Sequence, residues 1–176
     1  MKSILDRFLV WWLRGARYRW SRFRRKLFEG RYLRADLPPV ASLEDIQQRL
    51  GEVTWTMDGP LHLYDAISYP QKVWHRKKDD CDGFAVLAAA LLRQWRPDSR
   101  PVLLTVMLRP VSRSHTVCAF PSPGDEIWYF DNSFLRQASL HTYTEIVNVV
   151  KGDAELVCWD VADPVTLETI EFHRAA

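Results

Sequence analysis

Cysteine is scarce in this 176-residue chain. Cys81, Cys118 and Cys158 are an odd number, widely spaced, with no C-x-x-C pair. That excludes a disulfide scaffold and a cysteine zinc site. It fits a reducing compartment, or one reactive thiol with two buried bystanders. Long apolar runs are missing too. The longest, Phe84 to Leu92, has nine residues, whereas a bilayer-crossing helix needs about twenty. Near the start, Phe8 to Leu13 is six residues long, flanked by Asp6, Arg7 and Arg14, with no small-residue cleavage site. No secretion signal is expected, and the chain reads as cytoplasmic, with peripheral membrane attachment left open. Repeats and low-complexity segments are absent.

What is present is a core-forming composition, 47% hydrophobic with eight Trp, and a lopsided charge. Residues 1–34 hold eleven Lys and Arg against two acids, while the remainder holds thirteen against twenty. The chain divides into a basic arm, 1–34, and an acidic globular domain, 35–176. On a helical wheel Leu5, Phe8, Leu9, Trp12, Leu13, Ala16, Trp20, Phe23 and Leu27 share one face of the arm, with most arginines outside it. This is a basic amphipathic helix. It can dock on its own domain or a partner protein, or lie on an anionic membrane surface. Nucleic acid is the least favoured partner, since no recognised motif supports it. The rest of the chain carries all the sheet and the cysteine helix, so it is expected to fold without the arm.

Within the domain, Ser42-Leu-Glu-Asp45 reads as a capping box opening a short helix over 43–50. Residues 52–80 read as an irregular lead-in. Strands are expected at 102–108, 115–120, 126–131 and 155–161, with a short helix over 142–150. Thr/Glu/Ile alternation makes 165–172 ambiguous between strand and helix. Helices first and an antiparallel sheet after them give the α+β class.

Phe84 to Leu92 is apolar on all sides, which marks a buried helix. Asp79, Asp80 and Asp82 crowd its start, and Arg93, Arg96 and Pro97 mark its end. Cys81 therefore sits in the first turn, where unpaired N–H groups favour negative charge on sulfur. A buried structural cysteine is the bland alternative. A sheet must bury one face, and this helix is the obvious cover. If Phe120 pairs with Glu126 across the turn at 121–125, then His115 pairs directly with Asp131. Such pairs have Cβ atoms about 5 Å apart. Cys81, His115 and Asp131 then form a nucleophile, a base and an orienter, with the Cys81 N–H as an oxyanion donor.

Asp-Cys-Asp-Gly-Phe-Ala at 80–85, Ser-His-Thr-Val at 114–117 and Tyr-Phe-Asp-Asn at 129–132 resemble the transglutaminase-like cysteine proteases, and most of all their bacterial branch. Trp55, Asp58, Asp65 and Pro70 look like that branch's lead-in. The resemblance covers about residues 42–135. It implies a papain/transglutaminase-like core with the Cys helix on an antiparallel sheet, and the catalytic roles above for Cys81, His115 and Asp131. Two positions depart from the pattern. Asp79 stands where the family usually has Gly, and Gly83 where the adhesin-cutting members have an acid. Some of those members bind calcium beside the cysteine. Here Asp80 and Asp82 match two of the acidic positions and the third is lost, so no cofactor is expected, with calcium near Asp80 and Asp82 as the alternative. Three carboxylates beside Cys81 also oppose negative charge on its sulfur. Either they point into caps, or a metal neutralises them, or the thiol depends on His115.

The sequence reads as a cysteine acyl-transfer enzyme, a thiol peptidase acting on a protein or peptide, with transglutaminase activity left open. The alternative is an inactive scaffold module anchored by its arm. Cys118 and Cys158 read as core, and His75 as surface. His62, His141 and His173 have no evident partner, and Trp74 reads as packing rather than cleft.

Overall fold

The computed structural model describes residues 2–32, 36–56 and 66–175; Asp58, His62 and Asp65 fall outside them. In chain order the helices and strands are Lys2–Trp11 (α1), Arg17–Tyr32 (α2), Leu43–Gly51 (α3), Thr54–Trp55 (β1), Pro70–Arg76 (α4), Lys78–Asp79 (β2), Cys81–Trp95 (α5), Val102–Arg109 (β3), His115–Pro121 (β4), Ile127–Asp131 (β5), Phe134–Arg136 (β6), Tyr143–Lys151 (α6), Glu155–Ala162 (β7) and Thr169–Arg174 (β8). The class is α+β, as the patterning implied. Of the ambiguous residues 165–172, 165–168 lie in a turn and 169–172 belong to the strand β8. The lead-in is less irregular than expected, because Pro70 occupies the first turn of α4, where its missing N–H costs nothing.

Capping residues start the helices. The Ser42 hydroxyl accepts from the Asp45 amide at 3.1 Å. The Asp45 carboxylate reaches past Ser42 and accepts from Ala41 instead. Thr142 and Glu145 make a complete reciprocal box at the start of α6.

Six antiparallel strands form one sheet in the order β6-β5-β4-β3-β7-β8. Every residue of β3 from Val102 to Leu108 is buried, so both sheet faces are covered, rather than the single face expected from the sequence. Phe84, Leu87 and Leu91 of α5 pack with Leu103, Cys118, Phe120 and Phe130 on one side. Ile146 and Val147 of α6 pack with Leu104, Val106, Val117, Tyr129 and Val161 on the other. That explains the unbroken apolar run of β3, which a one-faced strand would replace with alternation.

The β4–β5 register differs from the expected one by two residues. Phe120 pairs with Trp128 and Cys118 with Phe130. The loop is Ser122–Glu126, closed by the Ser122 amide on the Glu126 carbonyl at 2.9 Å. Pro121 thus ends the strand, at a place where its lack of an N–H is tolerated. Because side chains alternate with period two, a two-residue shift moves no side chain to the other face. His115 and Asp131 become diagonal neighbours instead of direct ones.

The arm packs against the sheet beside α5. Leu9, Trp12 and Leu13 are buried with Met107, Val157 and Cys158. Between α1 and α2 the residues Trp12–Ala16 form a π-turn. One extra residue in a helical turn rotates everything after it by about 100°. The inward positions therefore run Leu9, Leu13, Arg17, Tyr18 and Ser21, while Ala16 packs partly buried beside them and Trp20 turns out. Tyr18 is 1% exposed and Ser21 0%, whereas Trp20, Phe23 and Leu27 are 46%, 54% and 62% exposed. The single apolar stripe expected over the arm is split in two. Polar contacts fix the inner half. Tyr18 donates to Asp160 at 3.0 Å, Ser21 accepts from the Ile67 amide at 3.0 Å, and Arg22 and Arg25 donate to the carbonyls of Leu167 and Ser68, both at 2.7 Å. Asp6 pairs with Arg109. No helix of the described residues is long and apolar enough to cross a membrane.

Candidate functional site

The strand pair β1–β2 runs parallel and delivers the chain to Asp80, the N-cap of α5, whose carboxylate accepts from the Asp82 amide at 3.2 Å. Cys81 is the next residue and is partly exposed. His115 opens β4 at the end of the sheet. The preceding Ser114 is pinned by the Leu108 amide, which donates to its hydroxyl at 2.9 Å.

His115 Nε2 and Asp131 Oδ1 are 2.8 Å apart, and Cys81 and His115 line one small space together. The three residues singled out in the sequence therefore meet. Burial opposes charge on the His115 ring, but Asp131, and Cys81 after it, outweigh burial and raise its pKa to about 10. Asp131 is held below the usual carboxylate range, chiefly by its bond to His115. Arg136 of β6 stands 3.6 Å from the other Asp131 oxygen. Sequence reading missed Arg136 along with its three-residue strand, which carries no periodic signal. An imidazolium held between a carboxylate and a sulfur can pass a proton to a leaving group and steady a thiolate.

Two spaces flank His115. One, of about 660 Å³, is bounded by Asp131, Tyr129, Leu135, Arg136 and Val150. The other, of about 40 Å³, lies at Cys81 between Trp12, Arg17, Thr105 and Met107. The second has room for little more than water, and two of its walls come from the arm.

Asp79, Asp80 and Asp82 are all buried, with carboxylate oxygens within 4.8 Å of one another. The two departures from the family pattern compensate each other. A Cβ on Gly83 would lie 2.4 Å from the Asp79 carboxylate carbon. Asp79 thus fills the space that a side chain at 83 would need. Gly83→Ala is expected to displace Asp79 and cost about 1–3 kcal/mol, and Asp79→Gly in the same molecule should recover most of it. Urea titration of the two single variants and the double variant checks the coupling.

Burial, then Asp82, pushes the Asp79 carboxyl up to about 6. The same two causes, in the same order, raise Asp80. Burial would also raise Asp82, but hydrogen bonds from Asp80 and Arg17 bring it down instead. Arg17 Nη2 meets the Asp82 carboxylate at 2.5 Å. Burial works against the Arg17 charge, and Asp82 foremost among its anionic neighbours more than offsets it. Arg17 thus offsets part of the negative charge beside Cys81. Three carboxylates are the hard donors that calcium takes, and the cluster could hold a metal ion. Arg17, however, already occupies Asp82.

Burial pushes the Cys118 thiol up and that of Cys158 up to about 12. His75 is exposed. His141 bonds the Asp125 carbonyl at 3.1 Å, and His173 stacks on Trp159 at 4.1 Å. Trp74 packs against the core under α5.

No protein-family model and no curated protein sequence matches the chain. Solved structures do. Calcium-bound Legionella pneumophila LapG superposes with TM-score 0.50 and 17% identity, over 76% of this chain and 67% of that one. EGTA-treated LapG gives TM-score 0.50 and 17% identity over 89% and 78%. The chain has a transglutaminase-like fold.

Proposed function

We propose that the protein is a thiol peptidase that hydrolyses amide bonds in a protein or peptide, with Cys81 as nucleophile, His115 as acid and base, and Asp131 as orienter. The observation that carries this reading is the His115 ring, bonded to Asp131 and facing the same small space as Cys81 at the first turn of a buried helix. The sulfur attacks the amide carbonyl carbon and a C–S bond forms. Negative charge collects on the carbonyl oxygen, where the Cys81 N–H of the first turn is a fixed donor. His115 passes its proton to the amide nitrogen, the C–N bond breaks and the amine leaves. Water then gives a proton to His115 as its oxygen attacks the thioester, releasing the acid and restoring the sulfur. An amine in place of that water gives transamidation. The likeness to LapG in fold agrees with this reading. The outward side of the arm, with Trp11, Trp20 and Phe23 exposed among Arg7, Arg19 and Lys26, is the surface left for a partner protein or an anionic membrane.

The test is a quenched-fluorescent peptide library with amine release read by mass spectrometry. Wild-type protein is expected to release new amino termini and accumulate a thioester visible in its intact mass, while Cys81→Ala does neither. Equal cleavage by both proteins would contradict the assignment.

A further inference from the structure

The acidic cluster beside Cys81 has the donors of a cation site, and a side chain of the arm sits in it. The Arg17 side chain is only 11% exposed; it bonds Asp82 at 2.5 Å and the Thr105 hydroxyl at 3.2 Å. Thr105 in turn shares a hydrogen bond with Thr116, the neighbour of His115. The π-turn Trp12–Ala16 is what aims Arg17 inward. In an unbroken α-helix Ala16, four residues after Trp12, would take the inward position and Arg17 would turn about 100° away. Asp79, folded against Gly83, completes the set of three carboxylates. The cluster is thus a three-carboxylate site with an arginine in the position of charge.

We propose that Arg17 is the built-in counter-cation of the Asp79–Asp80–Asp82 cluster, holding the first turn of α5 and Cys81 in place and making the protein indifferent to calcium. A guanidinium on Asp82 Oδ2 puts a positive charge beside any calcium ion the cluster would hold, and the two charges repel. Arg17 is a positioning residue, acting through Asp82 on the turn that carries Cys81. It joins the arm to the site, so the arm's seating on the sheet and the order of the cysteine turn are one equilibrium. The proposal concerns charge at the cluster and stands whichever bond the site cleaves.

The experiment melts the full chain in calcium chloride and in EGTA, and measures iodoacetamide labelling of Cys81 in both. Wild type is expected to give the same melting temperature and the same labelling rate in the two buffers. Arg17→Gln should melt roughly 10 °C lower in EGTA and recover most of that loss in calcium, with Cys81 labelling recovering in parallel. Arg17→Lys, which keeps the charge, should remain indifferent to calcium. A wild-type melting temperature that rises with calcium would overturn the proposal, because the ion would then bind with Arg17 in place. A folded Arg17→Gln protein with no response to calcium would overturn it as well, because the cluster would then be no cation site. Should Arg17→Gln fail to fold in either buffer, the wild-type and Arg17→Lys melts still decide the matter.

Discussion

His115→Ala is expected to slow amide hydrolysis by about 10³- to 10⁴-fold. The ring bonds Asp131 at 2.8 Å and shares a small space with Cys81, the two neighbours on which the proposed chemistry depends. Without it the sulfur has no proton acceptor and the leaving nitrogen no donor. Asp131→Asn should cost less than His115→Ala but act the same way, by loosening the ring. Stability should respond to pH in the opposite sense to an ordinary carboxylate. The folded-state pKa of His115, about 10, lies above the 6.5 of a free histidine. Folding therefore binds a proton between those values, and stability falls as pH rises through them. The contribution of His115 is fully present below about pH 6.5 and lost as pH passes about 10. Chemical denaturation of wild type and His115→Ala across that range should show two curves that converge at high pH. Parallel curves would mean that the ring is not held as a cation.

Removing residues 1–34 is expected to leave a domain that aggregates or melts far below the intact protein. The sequence alone pointed the other way, since the sheet and α5 lie outside the arm. In the folded chain, however, Leu9, Trp12 and Leu13 cover Met107, Val157 and Cys158. Truncation would expose that apolar surface, at about 25 cal/mol per Å². It would also strip Arg17 from Asp82 and Tyr18 from Asp160, two buried carboxylates. Breaking one buried ion pair from a single side costs about 3–5 kcal/mol, a large share of the stability of a domain this size. Asp160, pushed up to about 7 mainly by burial, escapes part of its cost by taking up a proton. Differential scanning calorimetry of the truncated and intact chains checks this. A truncated domain that melts as the intact protein does would show that the arm contributes no packing.

The strands and the site were legible because their signals are local. The β3 run, the Cys81 helix and the segments 114–117 and 129–132 each carry their periodicity or motif within a few residues. His115 and Asp131 were paired from a wrong register, yet they still share a face, because the error was two residues and alternation is insensitive to an even shift. An error of one would have separated them. What escaped was non-local. Nothing in the arm's wheel marks a π-turn, so Trp20, Phe23 and Leu27 were placed with the inward residues and Arg17 and Tyr18 were not. The loss of an acid at 83 and its gain at 79 read as two separate departures, and only the contact between Asp79 and Gly83 joins them. Arg136 lay on a strand too short to announce itself.

Activation of Cys81 by His115 is the central claim, and the three cysteines provide their own controls. Intact protein is to be treated with iodoacetamide between pH 6 and 9, quenched at intervals, digested and mapped. Cys118 and Cys158 are buried, at 0% exposure each, and should remain unlabelled throughout. Cys81 should label, and that labelling should vanish in a folded His115→Ala variant. A Cys81 that stays as silent as Cys118 and Cys158, or that labels equally well without His115, would contradict the central claim.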